Sequence, residues 1–486
     1  MQAATRRRVL LPDSAPNAPV LPRPSFNRLP QPLPALNAML DPNECGRLVT
    51  RTPTEGTHIL SIRTDRSFFI GRSKDCDYRI PHPAVSSKHC RLYALVVDTG
   101  EILVCLEDTS TNGTLYNQRR VSRATRILSD GDCIEIGGHL FRYEHLAPSP
   151  TLLTASQPKQ TGMAQEGPWS VGDFVVLPRT LGSGAFSRVH LAFSTKTLKQ
   201  VACKRMKRRR LPGDQIAVVQ REVDMLKSAS HPNINRVEAV EIDEQHIHIF
   251  LELVPGGDLF SYLIKHGRLD APEVKWILYQ MLLGLRHLHD EVNIAHRDIK
   301  LENVVLACAG PFPKVQLTDF GQARFADENF RSLQGTLQYM APEQLIATSR
   351  HSGYGGKPAD IWSSGIVFAY LLTGAHPFEP WDPTTPADPN VGLPASSAEM
   401  LALGETACAE IAHSPKDGPI CRAVVQGTMA LPTMRFGKED QHVRELLNRM
   451  LAHEPDQRDT AARALRSKWM LSSERELVEL YHRVVA

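Results

Sequence analysis

Two short motifs in the second half of the chain constrain its fold more than any other feature. HRDIKLEN at residues 296–303 concentrates carboxylate, amide and basic side chains within eight residues, and DFG at residues 319–321 adds another carboxylate. After Trp169, strand-like runs come first, and helical patterns such as residues 273–291 dominate later, with apolar residues recurring at three and four positions. A strand-rich part followed by a helix-rich part predicts one α+β unit or two lobes.

The bulk composition excludes several classes of protein. A chain of 486 residues has room for two or three domains, and 42% hydrophobic with 22% charged residues is typical of globular proteins. No apolar run approaches the roughly 20 residues that a membrane span requires. The net charge is only +3, and we interpret the basic run at residues 204–210 as a solvated loop. We therefore expect neither a membrane nor a nucleic-acid partner.

The nine cysteines are scattered at irregular spacing, without a C-x-x-C pair. An odd and irregular set suits neither a disulfide framework nor a zinc site, and indicates a reduced interior compartment.

Composition also divides the chain into segments. The first 43 residues contain nine prolines and few aromatics, so we expect them to be disordered. Short β-rich runs then alternate with turn signals such as Asn112-Gly113 and Asp130-Gly131, which predicts an all-β sandwich. The predicted segments are a disordered Pro-rich N-terminus (1–43), the sandwich (44–147), a linker (148–170), a second domain (171–472) with a Pro-rich insert (about 379–419), and a C-terminal tail (473–486).

The two opening motifs supply the side chains that phosphoryl transfer needs. Asp298 can accept the hydrogen bond of an incoming hydroxyl, and Lys300 can steady a transferred phosphate. Asn303 and Asp319 offer the oxygen ligands that Mg²⁺ prefers alongside phosphate and water.

A glycine-rich segment upstream is consistent with this chemistry. LGSGAFSRV at residues 181–189 places Gly182 and Gly184 where backbone N–H groups can approach phosphate oxygens, although such a pair alone equally suits a plain hairpin. Lys204 in VACK could hold the α- and β-phosphates if a carboxylate orients it. Glu222, on a predicted amphipathic helix, is the candidate partner.

Taken in order, these motifs resemble a eukaryotic protein kinase from about Phe174 to Met470. APE at residues 341–343, DIWSSG at residues 360–365 and Arg458 complete the pattern. The resemblance implies a bilobal α+β protein kinase fold, ATP and Mg²⁺ as cofactors, catalytic roles for Asp298, Lys300, Lys204 and Glu222, and metal binding by Asn303 and Asp319. It assigns the nucleotide site to Leu181, Gly182, Gly184, Val189, Ala202, Lys204, Leu251, Glu252, Val254, Asn303 and Asp319.

The same resemblance implies structural roles outside the cleft. Glu343 and Arg458 are expected to form a buried ion pair in the helical lobe, and Asp360 to hold the catalytic loop. The third glycine of the loop is replaced by Ser187, a variant similar to the calcium/calmodulin-dependent kinase group.

Substrate preference is also implied by the resemblance. Lys300, two residues after Asp298, and GTLQYMAPE at residues 335–343 resemble the serine/threonine class. Asp258 and Glu302 match positions where basophilic kinases receive an arginine upstream of the acceptor. Asp258 could equally contact the ATP ribose or solvent.

Arg297 precedes Asp298, as in kinases that are activated by phosphorylation, because a buried arginine needs a counter-anion. The regulatory candidates are Ser332 and Thr336. Since Thr336 has a structural role in the family, Ser332 is the better regulatory candidate.

Three further motifs lie at strand ends in the sandwich: GRSKDCDYRI (71–80), VSSKHCRL (85–92) and EDTSTNGTLYN (107–117). Loops at one end of a sandwich collect binding residues, and a guanidinium such as that of Arg72 suits phosphate. Their order resembles the forkhead-associated (FHA) domain, which implies a phosphothreonine partner. The implied contacts are Arg72, Ser86, Ser87, Lys88, Thr111 and Asn112. The alternative is a sandwich that has lost binding and merely packs on the kinase.

An FHA domain followed by a kinase resembles the checkpoint effector kinases of eukaryotes, of the checkpoint-kinase-2 type or the fungal meiosis-specific type. That resemblance implies nuclear localisation, activation in trans and a function in DNA-damage or meiotic control; the sequence leaves self-association open. Ser156-Gln157 is the single Ser-Gln of the flanking segments, which favours the meiotic branch. The alternatives are a phosphopeptide-binding adaptor with a kinase-fold scaffold, and a cytoplasmic signalling kinase.

Overall fold

The computed structural model describes most of both predicted domains. The described residues are 41, 43–52, 56–97, 100–146, 167–183, 187–207, 227–243, 245–308, 310–326, 330, 335–350, 353–379, 418–427, 429 and 439–485. Nearly all of the predicted disordered N-terminus and Pro-rich insert, together with Gly184, Glu222 and Ser332, therefore lie outside the described residues.

The first domain is a sandwich of two β-sheets. Its strands are β1 Glu44–Thr52, β2 Gly56–Arg63, β3 Phe68–Gly71, β4 Tyr78–Arg79, β5 Cys90–Val96, β6 Ile102–Asp108, β7 Thr114–Tyr116, β8 Arg119–Val121, β9 Thr125–Ile127, β10 Cys133–Ile136 and β11 His139–His145. One sheet has the order β2-β1-β11-β10-β7-β8 and the other β4-β3-β5-β6-β9. The core between them includes the fully buried Leu48, Ile70, Leu92, Val104 and Phe141.

Tight turns fix the register of this sandwich. Between β7 and β8 the two-residue loop Asn117-Gln118 has both φ angles positive, at 47° and 67°. Two consecutive positive φ values twist a hairpin in the direction that flanking strands require. This turn pairs Tyr116 with Arg119.

The second domain begins with a sheet of order β12-β13-β14-β15-β17-β16, which forms its small lobe. The strands are β12 Trp169–Val171, β13 Phe174–Ser183, β14 Ser187–Ser194, β15 Gln200–Lys207, β16 Val237–Ile242 and β17 His246–Glu252. Phe174 and Phe250 stack at 3.8 Å between ring centroids on one face of this sheet. Strand β12 falls partly within the predicted linker, which therefore ends two residues earlier than we expected.

The large lobe is helical. Its helices are α1 Leu259–His266, α2 Ala271–Arg286, α3 Pro342–Arg350, α4 Gly356–Thr373, α5 Gly418–Gln426, α6 Asp440–Met450, α7 Ala461–Leu465, α8 Lys468–Leu471 and α9 Glu474–Val484. Two small two-stranded sheets, β18 Ile294–Ala295 with β21 Arg324–Phe325 and β19 Val304–Leu306 with β20 Val315–Leu317, carry the catalytic segments. The predicted C-terminal tail thus contains a helix, which packs through the buried Leu477.

Close packing around α4 holds the large lobe together. Nearly all of α4 is buried, and a Cβ atom at Gly365 would come within 2.8 Å of Leu451. The absence of a side chain at this position lets the two segments approach each other. None of the described helices is both long and apolar enough to span a membrane.

The predicted buried ion pair lies beside α4. Arg458 contacts Glu343 through two nitrogen–oxygen pairs at 2.7 and 3.1 Å, and it also donates to the Pro358 carbonyl at 2.7 Å. The side chain of Arg458 is completely buried, so this bidentate contact compensates for lost hydration of the guanidinium.

Candidate functional site

The catalytic loop brings Asp298, Lys300 and Asn303 together, as the motif predicts. Asn303 Nδ2 donates to the Asp298 carboxylate at 3.0 Å, and Lys300 Nζ lies 3.2 Å from the same oxygen. Thr336 Oγ1 accepts from Lys300 at 2.9 Å and donates to Asp298 Oδ1 at 3.2 Å. The Asp298 carboxylate is thereby oriented from three sides and can accept a hydrogen bond from a hydroxyl substrate.

Asp360 on α4 positions this loop. Its buried carboxylate accepts hydrogen bonds from the backbone N–H groups of His296 and Arg297, each at 2.7 Å. His289 Nε2 lies 2.9 Å from the same carboxylate. Three partners on one buried carboxylate fix the loop backbone against the large-lobe core. Sequence reasoning missed His289, because no local pattern separates it from other helical histidines.

Asp319 lies at the mouth of the cleft in a left-handed backbone conformation, with φ at 61°. Its Oδ1 accepts from Lys204 Nζ at 2.5 Å and from the Gly321 N–H at 3.2 Å. Burial by itself would raise the pKa of Asp319, but the Lys204 ammonium outweighs burial and the pKa is lowered. Lys204 therefore contacts the large lobe directly, while its predicted partner Glu222 lies outside the described residues.

Several residues predicted to bind the nucleotide lie opposite one another on neighbouring strands of the small lobe. Ala202 and Leu251 pair across β15 and β17, and Gly182 pairs with Val189 across β13 and β14. Leu181 is partly buried in an apolar cluster that includes Leu253 and residues of the sandwich.

The hinge, residues 252–256, joins the two lobes. The Glu252 carbonyl accepts from Asn235 Nδ2 at 3.1 Å, and the Glu252 N–H donates to Arg236 O at 2.8 Å. These two contacts hold the start of the hinge against residues 235–236.

The two carboxylates predicted to contact an upstream arginine of the substrate differ in their environments. Asp258 caps α1 and accepts from Ser261 N at 2.7 Å and from Ser261 Oγ at 3.0 Å. Glu302 is largely buried, and its Oε2 has no hydrogen-bond partner among the described residues. Burial raises the pKa of Glu302. A buried carboxylate oxygen without a partner favours a cationic ligand at Glu302 rather than at Asp258.

Arg297 is buried and strained, with φ at 68°. Its guanidinium lies 3.9 Å from the centroid of the Phe330 ring and donates to Tyr354 Oη at 2.9 Å. Its Nε has no hydrogen-bond partner among the described residues. The site that the sequence predicted for a phosphate counter-anion is therefore built around aromatic and polar groups.

The predicted phosphothreonine site lies on three loops at one end of the sandwich. Backbone hydrogen bonds from Arg72 N to Ser86 O (2.9 Å) and from Ser73 N to Ser87 O (3.0 Å) join the first two loops. Ser86 Oγ accepts from Thr111 N at 3.1 Å, and this contact joins the third loop to the first two. Arg72, Ser87, Lys88, Thr111 and Asn112 are exposed, so their side chains can reach a ligand in solution.

Side chains within and behind these loops hold them in shape. His89 Nδ1 accepts from Ser86 N at 3.2 Å, and Asn112 Nδ2 donates to Ala84 O at 2.8 Å. A Cβ atom at Gly71 would come within 2.3 Å of the Ser87 carbonyl, so glycine is needed there. His89 thus braces the loop rather than facing a ligand.

A second cluster of titratable side chains lies on the β16–β17 hairpin. Asp243, His246 and His248 bring possible ligand atoms within 4.8 Å of one another, and His248 Nε2 lies 2.9 Å from Asp243 Oδ2. The Arg205 guanidinium is 3.4 Å from His246 Nδ1. Because a cation already lies beside this cluster, we interpret it as a brace for the hairpin.

Two family models match the chain: "Protein kinase domain" over residues 175–470 and "FHA domain" over residues 68–137. The meiosis-specific serine/threonine-protein kinase mek1 of Schizosaccharomyces pombe is 33% identical over 343 residues, which cover 68% of this chain and 74% of that protein. The serine/threonine-protein kinase cds1 of the same yeast is 30% identical over 439 residues, covering 87% and 86%. A crystal structure of Rad53 1-466 in complex with AMP-PNP is 25% identical, covers 88% of this chain and 100% of that one, and has a TM-score of 0.44.

Proposed function

Because this chain belongs to the protein kinase family and carries an FHA domain, we propose that it is an effector kinase of meiotic recombination or DNA-damage checkpoint signalling. It is a serine/threonine protein kinase that uses ATP and acts on protein substrates. FHA domains bind phosphothreonine peptides, and the FHA domain is proposed to recruit this kinase to its targets. The observation that carries the proposal is the presence, in one chain, of the Asp298, Lys300 and Asn303 cluster and of an exposed arginine, Arg72, on the joined loops of the FHA domain.

In the proposed mechanism, Asp298 accepts the hydrogen bond of the substrate hydroxyl and so directs its oxygen toward the γ-phosphate. Lys300, 3.2 Å from Asp298, balances the charge of the transferred group. The hydroxyl of Thr336 keeps both side chains in place. A phosphate on Thr336 would repel the Asp298 carboxylate, so this geometry favours Ser332 as the regulatory site.

The donor atoms in the cleft suit magnesium. The Asp319 carboxylate and the Asn303 side-chain amide offer oxygen ligands, and Mg²⁺ prefers oxygen together with phosphate and water. When bound, the ion neutralises charge on the phosphates. The lowered pKa of Asp319 keeps this carboxylate ionised at neutral pH.

Phosphothreonine recognition is assigned to the three joined loops. Arg72 supplies planar guanidinium donors, Lys88 a second cation and Ser86 a hydroxyl. Thr111 and Asn112 lie on the third loop, where they can contact the backbone of a bound peptide. The exposure of these side chains supports binding over the alternative of a sandwich that only packs on the kinase.

The proposed substrates carry basic residues upstream of the acceptor, since Glu302 has a carboxylate oxygen without a hydrogen-bond partner in the part of the chain that the structure describes. Activation is proposed to require a phosphate near the Arg297 guanidinium, with Ser332 as the candidate and a second copy of the chain as the phosphorylating enzyme. Nuclear localisation is proposed from the similarity to meiosis and checkpoint kinases.

The pathway can be tested by capture of partners. The full chain carrying Asp298→Asn would be used as bait in extracts of DNA-damaged mitotic cells and of meiotic cells, with Arg72→Ala added as the control. Recovery of meiotic chromosome-axis proteins that depends on Arg72 would support recombination control, and recovery of damage-checkpoint mediators would support the damage response. Absence of any Arg72-dependent partner from both extracts would refute recruitment through the FHA domain.

A further inference from the structure

The outer face of the β4-β3-β5-β6-β9 sheet lies against the kinase domain. Tyr93, Leu103, Cys105 and Ile127 from the FHA domain are buried in one apolar cluster with Leu191 of the small lobe. These four side chains point away from the sandwich core, because the strands present alternate residues to opposite faces. The face is therefore an internal docking surface.

Two polar side chains anchor the small lobe to this surface. Arg179 on β13 donates to Leu128 O at 2.9 Å and to Ile102 O at 3.2 Å, and it forms a 2.9 Å ion pair with Glu101. Gln200 on β15 is buried and pairs with Ile127 in both directions, at 2.8 and 3.1 Å. The Gln200 amide thus acts as a strand partner for β9.

The same surface also reaches the hinge and the large lobe. Cys105 Sγ lies 3.6 Å from the carbonyl oxygen of Pro255 in the hinge, and Thr125 Oγ1 donates to Ala307 O in the large lobe at 3.4 Å. A Cβ atom at Gly310 would come within 3.3 Å of the Arg91 guanidinium. Contacts to both lobes therefore come from one hydrogen-bonded sheet.

These contacts define the orientation of the FHA domain on the kinase domain. Strand β6 begins beside Glu101, which contacts the small lobe. Further along the strand, Cys105 contacts the hinge. At the far end, Glu107 pairs with Arg91 of β5, and Arg91 contacts the large lobe. The FHA domain thus lies across the hinge. The phosphothreonine loops continue from the far end, on the large-lobe side.

In the same structure the two lobes touch across the cleft, since Lys204 of the small lobe contacts Asp319 of the large lobe at 2.5 Å. Rotation of one lobe against the other would break either the Arg179 and Gln200 contacts or the Thr125 contact. We propose that the docked FHA domain acts as a splint across the hinge and favours the closed arrangement of the lobes that binds nucleotide.

Docking of the FHA domain and binding of nucleotide are thermodynamically linked in this proposal, and the linkage can be measured. If docking favours the closed cleft, a nucleotide that closes the cleft must strengthen docking by the same factor. Cys105 reports docking, because it is fully buried under the hinge and burial raises the pKa of its thiol to about 12. Its alkylation by iodoacetamide, followed at the Cys105 peptide by mass spectrometry, therefore measures undocking in the full chain.

The disrupting variant is Leu103→Asp, which places a carboxylate in the apolar cluster. The matched control is Val96→Asp, the same type of substitution at a site on the neighbouring strand that is 62% exposed. Binding of a phosphothreonine peptide to each variant verifies that the FHA domain is folded.

We expect AMP-PNP with magnesium to slow Cys105 alkylation in the wild-type chain by about fivefold or more. Leu103→Asp should accelerate alkylation and weaken AMP-PNP binding by a similar factor, while Val96→Asp changes neither. Nucleotide-independent alkylation in a chain that demonstrably binds AMP-PNP would overturn the splint. That result would refute the splint but not the kinase function, because the chain would still bind nucleotide.

Discussion

The catalytic cleft and the phosphothreonine site hold their functional residues in opposite ways. In the cleft, buried charged groups support one another: Asp360 fixes the loop that carries Asp298, and Arg297 and Asp319 adopt left-handed backbone conformations. At the phosphothreonine site the side chains are exposed, and backbone hydrogen bonds with small braces such as Asn112 join the loops. Catalysis thus depends on an environment that burial creates, whereas peptide recognition depends on loops that burial leaves accessible.

The largest effect should come from Asp298→Asn. An amide cannot accept the hydroxyl proton in the same way, so kcat should fall by about 10²- to 10⁴-fold. The shape of the side chain is nearly unchanged, and AMP-PNP affinity should stay close to wild type. Activity would be measured as transfer of labelled phosphate from ATP to a serine peptide. Near-normal transfer by this variant would disprove the assigned role.

The second-largest effect should be on the stability of the large lobe. Glu343→Ala leaves Arg458 buried without its partner and should lower the free energy of unfolding by about 3–5 kcal/mol. All five tryptophans follow residue 168, so their fluorescence in urea follows the kinase domain. Glu454→Ala, at a side chain that is 67% exposed, is the control and should change stability by less than about 0.5 kcal/mol. Equal effects of the two variants would contradict the buried pair.

Arg72→Ala tests the proposed phosphothreonine site. Charge-assisted hydrogen bonds are worth roughly 1.5–3 kcal/mol, so phosphothreonine-peptide affinity should fall about tenfold or more. The kcat for an unprimed peptide should not change, because Arg72 lies outside the cleft. Arg66→Ala removes a comparable exposed charge from the same domain and serves as the control. Unchanged affinity in the Arg72 variant, measured by calorimetry, would exclude the pocket.

The smallest effect should be on substrate choice. Glu302→Gln should reduce the preference for an upstream arginine by about fivefold in a peptide library, because a charge-assisted contact becomes a neutral one. Asp258→Asn should reduce it less, since that carboxylate already caps α1. A larger loss with Asp258→Asn would reverse the assignment.

Local motifs allowed the sequence to predict much of the cleft. Asp298, Lys300 and Asn303 lie within six residues, so their proximity follows from the chain itself. The role of Thr336 depends on tertiary structure, because it reaches Asp298 from 38 residues away.

The docking of the FHA domain escaped prediction for a related reason. Residues 102–106 are all buried, and this run does not alternate between apolar and polar residues. Burial on both faces of an antiparallel strand indicates a second packed surface, and that pattern was the available signal. The partner residues Arg179 and Gln200 carry no motif, so the sequence could not identify what covers the strand.

In the proposed mechanism, Arg72 recruits the kinase to phosphothreonine-containing proteins and Asp298 catalyses phosphoryl transfer to them. The most direct test of this mechanism is kcat/KM of the full-length enzyme for a serine peptide with and without a tethered phosphothreonine. We predict that the phosphothreonine lowers KM in the wild type, that Arg72→Ala abolishes this gain without altering kcat, and that Asp298→Asn abolishes turnover of both peptides. A lowered KM that persists in the Arg72 variant, or an unchanged KM in the wild type, would contradict recruitment through Arg72.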